Sequence, residues 1–399
     1  MRKQILPTSE ALRFSAQLGI ATLCRLLLNT ARRFAYPFAP VLSRGLGVSI
    51  PAVTSIIAAN QATGIVGLIL GRMADRIGYR RLMVAGLGML SVGMLAAAVL
   101  PLFSVVLIGL VLAGLGKIAF DPAIQAYVSE RVAFERRGLA IGAMEFSWAG
   151  STLVGIPLMA VLIDGAGWRA PFFALGILGI VGMMAVLLFI PADSRPSKVS
   201  MGHQKSFAEA FRVLWGNRGA RGVLGFIFLV SIGNDNLFVS YGAWLEDSFR
   251  VNILLLGAIT GAIGFAELIG EVLVVLISDR IGLKRAVMVG VVICIVSYGL
   301  LPLAGRTLPV AIGGLFLVFL AFEFTVVSGI SLSTELLPAY RATMMAAFFA
   351  MAGIGRILGA LAGGLIWTNA GIPGIGLTSA SISVLALVSL LWGLKGWQR

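Results

Sequence analysis

The sequence has few of the residues that soluble proteins use for redox or metal chemistry. It contains one histidine and two cysteines, and only 12% of its 399 residues are charged. Cys24 and Cys294 both lie in apolar runs, which argues against a disulfide framework. His203 lies in a polar stretch, where we expect a solvated loop residue rather than a ligand. No metal-ligand cluster or glycine-rich phosphate loop is visible, so we expect no metal, no cofactor and no use of ATP.

Apolar residues take the place of the missing charge. They make up 59% of the chain, and the mean hydropathy is +0.99, whereas an ordinary globular domain is roughly half apolar. A helix of about 20 apolar residues crosses a bilayer core of about 30 Å. Because lipid offers the backbone no hydrogen-bond partners, each such run must be a helix. The composition therefore predicts an all-α polytopic membrane protein.

Apolar windows predict twelve spans in two sets of six, separated by a polar linker. The windows lie near 15–42, 50–71, 82–101, 103–127, 139–164 and 170–191, then near 221–247, 253–277, 285–303, 308–333, 342–369 and 373–394. The predicted organisation is an N-terminal tail (1–14), a six-helix bundle (15–191), a linker (192–220), a second bundle (221–394) and a C-terminal tail (395–399). Residues 208–218 of the linker read as an amphipathic helix that lies on the membrane surface.

The basic residues predict the orientation of these spans. With the N-terminus inside, 22 of the 31 Lys and Arg residues are cytoplasmic, five lie inside spans and four are external, namely Arg44, Arg169, Arg250 and Arg306. Cytoplasmic loops of membrane proteins carry such an excess. Both termini and the linker are thus predicted to be cytoplasmic. The net charge of +14 is explained by these loops and does not indicate nucleic acid.

A short motif occurs once in each half. Residues 71–81 read GRMADRIGYRR and residues 278–285 read SDRIGLKR, and each segment joins the second and third span of its set. Similarly, SERVAFERRG (129–138) resembles TELLPAYRAT (334–343), between the fourth and fifth spans. Two similar six-helix halves in parallel order are the signature of one transporter architecture.

These loops resemble the cytoplasmic loop motif of the major facilitator superfamily, and the resemblance covers essentially the whole chain. The matching residues of the first copy are Gly71, Asp75, Arg76, Gly78, Arg80 and Arg81. In the second copy Asp279, Arg280, Gly282, Lys284 and Arg285 match, whereas Val275 replaces the leading glycine. The resemblance implies a gate that latches the two halves on the cytoplasmic side. The alternative is that these arginines only set the topology.

The fifth span carries part of a pattern found in exporters of this superfamily. It reads SWAGSTLVGIPLMAVL, with Gly150, Gly155 and Pro157, but the spacing is displaced and the trailing glycines are absent. The resemblance therefore suggests export without establishing it.

Charged residues inside the spans are the main candidates for a site, because a charge at the bilayer centre costs roughly 2.5 to 3.5 kcal/mol on insertion scales. The resemblance implies that spans one, four, seven and ten surround a central cavity. The predicted cavity residues are Arg25, Asn29, Arg32, Tyr36, Lys117, Asp121, Asp235, Asn236 and Glu323.

Several readings of these residues stay open. Arg25, Asn29, Arg32 and Tyr36 share one helix face, which is suited to a carboxylate or phosphate. Alternatively, Arg32 and the adjacent Arg33 extend to an interface. Lys117 and Asp121 stand one turn apart and form either a salt bridge or part of the substrate site.

Five acids are candidates for proton coupling: Asp235, Glu145, Glu267, Glu271 and Glu323. Glu267 and Glu271 lie one turn apart, and their mutual repulsion favours a proton on one of them, unless Arg356 or a loop cation neutralises it. Asp235 lies in GNDNLF, whose amides either bind a solute or support local unwinding. Glu145 lies near Trp148, and an acid beside an aromatic ring can bind an organic cation by charge and cation–π attraction. The simpler alternative is that Trp148 only packs against its neighbours.

The first hypothesis for function is a secondary active transporter that exports a drug or metabolite in exchange for protons. The runner-up is uptake of an organic anion together with protons. A lipid flippase or a solute sensor on the same fold stays open, whereas an enzyme is not expected. The expected partners are a small-molecule substrate, protons and membrane lipids around a monomer in a bacterial cytoplasmic (inner) membrane.

Overall fold

The protein is all-α over the part of the chain that the computed structural model describes. The description includes residues 8–132, 144, 146–191 and 207–397, without the side chains of 8–13, 66–77, 129–130, 207–211, 279, 339 and 342. Within these ranges no residue is in a β-strand. The helices of the N-terminal half are α1 (Thr8–Arg33), α2 (Ala39–Leu46), α3 (Ile50–Ile77), α4 (Tyr79–Val99), α5 (Phe103–Arg131), α6 (Phe146–Ala166, with a π-turn at Ser151–Gly155) and α7 (Ala170–Phe189).

The C-terminal half repeats this arrangement. Its helices are α8 (Phe207–Gly216), α9 (Arg218–Phe238), α10 (Tyr241–Phe249), α11 (Ile253–Leu273), α12 (Leu283–Ala304), α13 (Leu308–Leu336) and α14 (Arg341–Gly393). A π-turn (Val274–Ser278) and a helical turn (Asp279–Ile281) follow α11. The helix α8 lies in the segment for which the sequence predicts an amphipathic helix.

Nine helices among the described residues are long and apolar enough to cross a membrane, or ten if α2 and the start of α3, bent by 113°, form one span. The helix α1, which carries Arg25, Asn29 and Arg32, is not among the nine. The predicted all-α membrane architecture is thus confirmed, and the count of twelve spans stays a prediction.

The last helix accounts for two of the predicted spans. At 1.5 Å per residue a straight helix of 53 residues would be roughly 80 Å long, more than twice the thickness of a bilayer core. Gly371 interrupts it with φ 56° and ψ −155°, and Pro373 follows. The break falls between the predicted spans 342–369 and 373–394, so α14 consists of two membrane-length segments.

The repeated motif has the same backbone geometry in both halves. Gly78 has φ 97° and ψ 146°, and Gly282 has φ 87° and ψ 136°. Each glycine precedes the first residue of the next helix, α4 or α12. Because side-chain-bearing residues rarely adopt this conformation, glycine is required at both positions.

The two halves touch at the middle of the predicted spans and near their predicted external ends. A β-carbon added at Gly264 would lie 2.5 Å from the backbone nitrogen of Leu153, at the middle of their spans, and one at Gly242 would lie 2.0 Å from the backbone oxygen of Pro37, near the external ends. Arg44 forms an ion pair with Glu246 at 2.5 Å on the same side. Missing side chains therefore allow the backbones of the two halves to approach closely.

Candidate functional site

Charged and polar side chains gather where α1 meets α5, α6, α9, α11 and α14. Arg25, Arg33, Lys117, Asp235 and Glu267 are all at most 5% exposed. Such groups persist in a membrane interior when they pair with one another or border a polar site. They form three connected sets, which are described in turn.

The first set lies within the N-terminal half. Asp121 accepts from both cations of the set: its Oδ1 is 3.2 Å from Arg25 Nε, and its Oδ2 is 2.5 Å from Lys117 Nζ. Arg25 also donates to the backbone oxygen of Met144 at 3.0 Å. The salt bridge that the sequence offered as one reading of Lys117 and Asp121 is present, and Arg25 joins it.

Asn29, on the same face of α1, donates to Ser147 Oγ of α6 at 3.2 Å. The predicted polar face of α1 thus packs against α5 and α6 at the positions of Arg25 and Asn29.

The second set joins the two halves. Arg33 Nη2 lies 2.5 Å from Glu267 Oε1, and Arg33 Nη1 lies 3.3 Å from Glu267 Oε2. Thr152 of α6 donates to the same carboxylate at 3.0 Å. Arg33 is therefore buried in a two-point ion pair with α11 and does not extend to an interface. Glu267 is neutralised by this arginine, not by Arg356.

The third set also crosses between the halves. Arg32 Nη2 donates to Gln61 Oε1 at 2.5 Å, and Gln61 Nε2 donates to Tyr36 Oη at 2.5 Å. Tyr36 Oη then donates to Asp235 Oδ1 of α9 at 2.8 Å. Arg356 Nε of α14 lies 3.9 Å from the second oxygen, Asp235 Oδ2. Two arginines thus stand at the ends of one chain of polar contacts.

Trp148 lies where these sets meet. The centroid of its ring is 4.3 Å from Arg33 Cζ, 5.5 Å from Arg356 Cζ and 5.9 Å from Lys117 Nζ. An indole face attracts cations, and here three protein cations already surround it. The predicted pairing of Trp148 with Glu145 cannot be assessed because Glu145 lies outside the described residues.

The amides beside Asp235 pack within the C-terminal half. Asn236 Nδ2 donates to Ser379 Oγ at 3.0 Å and to the backbone oxygen of Ile375 at 3.4 Å. Asn234 Oδ1 accepts from Tyr298 Oη at 3.5 Å. The helix α9 continues through these residues to Phe238, so the local unwinding suggested by GNDNLF is not seen.

The remaining acids of the predicted set lie deeper in the C-terminal half. Glu323 of α13 is 8% exposed, and a β-carbon added at Gly270 would lie 3.1 Å from its Cβ. Glu271 is half-buried on α11. Both therefore lie near Glu267 but outside the three sets described above.

Only part of the predicted gate lies within the description. The side chains of Asp75, Arg76 and Asp279 lie outside it, and so do the surroundings of Gly71. Arg80 donates to the backbone oxygen of Leu187, and Arg81 is exposed, as is Arg280. The latch therefore stays a prediction.

Sequence reasoning did not place Gln61, Thr152 and Arg356 among the site residues. A glutamine in the second span was a visible signal, because a polar amide in an apolar helix needs a partner. Arg356 was noted only as a possible counter-ion of Glu267 or Glu271. Its position beside Asp235 depends on how α14 packs against α9, which the sequence alone does not give.

Known proteins share both the sequence pattern and the fold. The family model for the Major Facilitator Superfamily matches residues 21–232 and 223–396. The MFS-type transporter YwfA of Bacillus subtilis is 23% identical over 329 residues, which span 82% of this chain and 79% of YwfA. A second Bacillus subtilis transporter, YceJ, is 22% identical over 251 residues, and the match spans 63% of each chain.

Two solved structures of a bacterial homologue of the human lysosomal transporter Spinster share the fold. The inward-facing, unoccupied form has a TM-score of 0.79 at 16% identity, and the occupied form has 0.77 at 15%; each alignment covers 96% of both chains. At this identity the likeness concerns the fold alone. Together with the family match over nearly the whole chain, it shows that the protein belongs to the Major Facilitator Superfamily of membrane solute transporters.

Proposed function

We propose that the protein is a proton-coupled secondary carrier of a small organic solute that works by alternating access. One observation carries the proposal: buried, hydrogen-bonded contacts between charged or polar groups join the two halves, Arg33 with Glu267 and Tyr36 with Asp235. A contact that joins the halves in one state and separates in another is the kind of two-state element that alternating access needs.

Other contacts between the two halves support an inward-facing conformation. The contacts of Gly242 with Pro37 and of Arg44 with Glu246 lie at the predicted external ends of the helices. We infer that the external side is closed and that the carrier faces the cytoplasm, as the aligned Spinster homologue does.

Proton coupling is proposed for the acids of the C-terminal half. Asp235 carries the contact with Tyr36 and lies beside Arg356, so a change in its protonation alters contacts in both halves. Glu323 is buried beside α11 and is the second candidate. Intramembrane acids of this kind serve as proton relays in transporters.

Two directions of transport have support. Export of a drug or metabolite in exchange for protons is supported by the partial exporter pattern around Pro157. Uptake of an organic anion with protons is supported by Arg32 and Arg356, which lie in opposite halves at the two ends of the polar contacts that include Asp235. Solute sensing without transport is an outcome that the test below distinguishes, and a fluorescent lipid added to its panel tests for lipid transport.

The wider organisation is part of the same proposal. We infer bundles at 15–191 and 221–394, a linker at 192–220 and tails at 1–14 and 395–399. The tails and the linker are placed on the cytoplasmic side of a bacterial inner membrane, and the carrier is placed there as a monomer. The basic residues of the loops support the orientation.

Reconstituted vesicles test the proposal. Vesicles that contain a pH-sensitive dye are given an imposed pH gradient and a panel of organic anions, cations and neutral solutes, and solute and proton movements are followed together. Asp235→Asn and Glu323→Gln should abolish coupled movement in a folded protein. Asp164→Asn, an identical change at an exposed position, should not. Solute binding without flux in the parent protein would indicate a sensor, and flux that ignores the gradient would exclude proton coupling.

A further inference from the structure

The polar chain from Arg32 to Arg356 has a defined direction of hydrogen donation. Arg32 donates to Gln61, Gln61 donates to Tyr36, and Tyr36 donates to Asp235. Every donor therefore points towards the carboxylate. Arg356 faces that carboxylate from the other side at 3.9 Å. Asp235 is the acceptor at which the two branches meet.

The polar chain from Arg32 to Arg356 holds more positive charge than negative charge. Among the described side chains, Asp235 is the carboxylate within 4 Å of Arg356, while Arg32 reaches only the neutral Gln61 by hydrogen bond. The Nε atoms of Arg32, Arg33 and Arg356 are buried and have no hydrogen-bond partner among the described residues, but only Arg33 of these three has a two-point carboxylate partner there. Buried guanidinium donors without acceptors are costly. Arg32 and Arg356 therefore have donors to offer to an anion.

The neighbouring pairs leave Arg32 and Arg356 without a two-point counter-ion among the described residues. The charged groups that face Asp235 are Arg32 and Arg33 from α1 and Arg356 from α14. Arg33 already has Glu267 as a two-point counter-ion. The titratable hydroxyls near Asp235 are Tyr36 and Tyr298. Loss of charge on Asp235 would thus remove the counter-ion of Arg356 and leave Asp121 as the carboxylate that acts on Arg32, while the counter-ion of Arg33 stays in place.

We propose that the solute is a small organic anion whose carboxylate binds between Arg32 and Arg356 when Asp235 takes up the coupling proton. One O–H bond forms on Asp235, and the solute carboxylate takes over the role of counter-ion. With a monoanion the charge of the site stays at +1: two guanidiniums and one carboxylate before binding, and the same two guanidiniums and the solute carboxylate after it. The inference rests on the proposed carrier function and names the substrate class of that site.

The surrounding charges favour an anion over an organic cation. Arg33, Lys117 and Arg356 already surround Trp148, the aromatic ring on which an organic cation would otherwise stack. A cationic solute would meet like charges at this ring.

The proposal also fixes the relation between solute and proton. Both occupy the site together and leave together, so they move in the same direction across the membrane. Of the two directions considered above, this favours uptake of the anion with protons.

Binding of three matched probes tests the inference without any transport measurement. The purified protein in detergent is heated with 10 mM benzoate, benzamide or benzylamine at pH 5.5 and at pH 8. The probes share one ring and differ in charge. Benzoate should raise the melting temperature, more at pH 5.5 than at pH 8, and the other two should not. Stabilisation by benzylamine alone, or by none of the three, overturns the inference.

Variants assign the effect to the proposed residues. Arg356→Gln should weaken benzoate binding at least tenfold, and Arg356→Lys, which keeps the charge, should restore part of it. The exposed control Arg306→Gln should bind as the parent does. Asp235→Asn mimics the protonated acid, so it should bind benzoate at pH 8 as tightly as the parent does at pH 5.5. Weaker binding by Asp235→Asn, or equal binding by the variants at 356 and 306, refutes the site.

The binding results and the vesicle results can fail separately. If benzylamine binds and coupled flux persists in the vesicle assay, the carrier function stands and the anion site is wrong. If benzoate binds as expected but no solute moves, the site stands and the function as a carrier is wrong.

Discussion

The buried pair of Arg33 and Glu267 allows a quantitative prediction about the proposed closure of the external side. Both side chains are at most 4% exposed, and they meet at two points. Removing one member of such a pair leaves an unpaired buried charge, which costs about 3 to 5 kcal/mol. Glu267→Gln keeps the shape and an acceptor for Thr152, so it isolates this charge effect.

The unpaired charge in Glu267→Gln should shift the protein away from the conformation in which the external side is closed. Because the pair joins the two halves, the variant should lose about 3 kcal/mol of the stability of the closed external side, or about a hundredfold in the population ratio. Replacing both members by methionine removes the unpaired charge, and the double variant should recover most of the loss.

Crosslinking of cysteines at positions 44 and 246 by a bifunctional thiol reagent measures this shift, because the side chains of Arg44 and Glu246 meet on the proposed external side. The background carries serine at Cys24 and Cys294, and a melting curve checks folding. Crosslinking should slow markedly in Glu267→Gln and return in the variant with methionine at both positions 33 and 267. Parent-like crosslinking in Glu267→Gln, or crosslinking that stays slow in the double variant, would show that the pair does not hold the halves together.

Three other substitutions follow from the geometry. Gly242→Ala places a carbon against Pro37 and should hinder closure and reduce turnover severalfold, whereas Gly299→Ala, which meets no atom within 4 Å, should not; equal turnover contradicts the close approach. Tyr36→Phe removes a hydroxyl that both donates and accepts, so we expect a loss of about 1 to 3 kcal/mol in stability and an altered pH profile of transport. Asp75→Asn should slow turnover more than it weakens solute binding, and normal turnover in the vesicle assay would leave the motif as a topology signal.

The helical architecture can be predicted from the sequence, because an apolar segment in a membrane must satisfy its own backbone hydrogen bonds and a helix does so within one segment. The predicted end of one span at 369 and start of the next at 373 bracket the break at Gly371. The internal repeat was also visible, and the matched backbone of Gly78 and Gly282 gives it a physical basis.

The pairing of charges was harder to predict than their presence. Lys117 and Asp121 are neighbours on one helix, so their contact follows from spacing alone. Arg33 and Glu267 are 234 positions apart, and their contact depends on how two halves dock. No helical period carries that information. For the same reason, spacing along the chain does not identify Asp235 as the partner of Arg356.

The shared geometry of Gly78 and Gly282 separates two requirements within the motif. Any side chain at these points would force a backbone strain of about 1 to 3 kcal/mol, whatever charges surround it. A substitution there would impair the turn itself, whereas a change at Arg80 or Arg81 would leave the turn and remove a charge and, at Arg80, the hydrogen bond to the backbone oxygen of Leu187. The loop therefore has a steric component that salt cannot screen, and this component occurs once in each half.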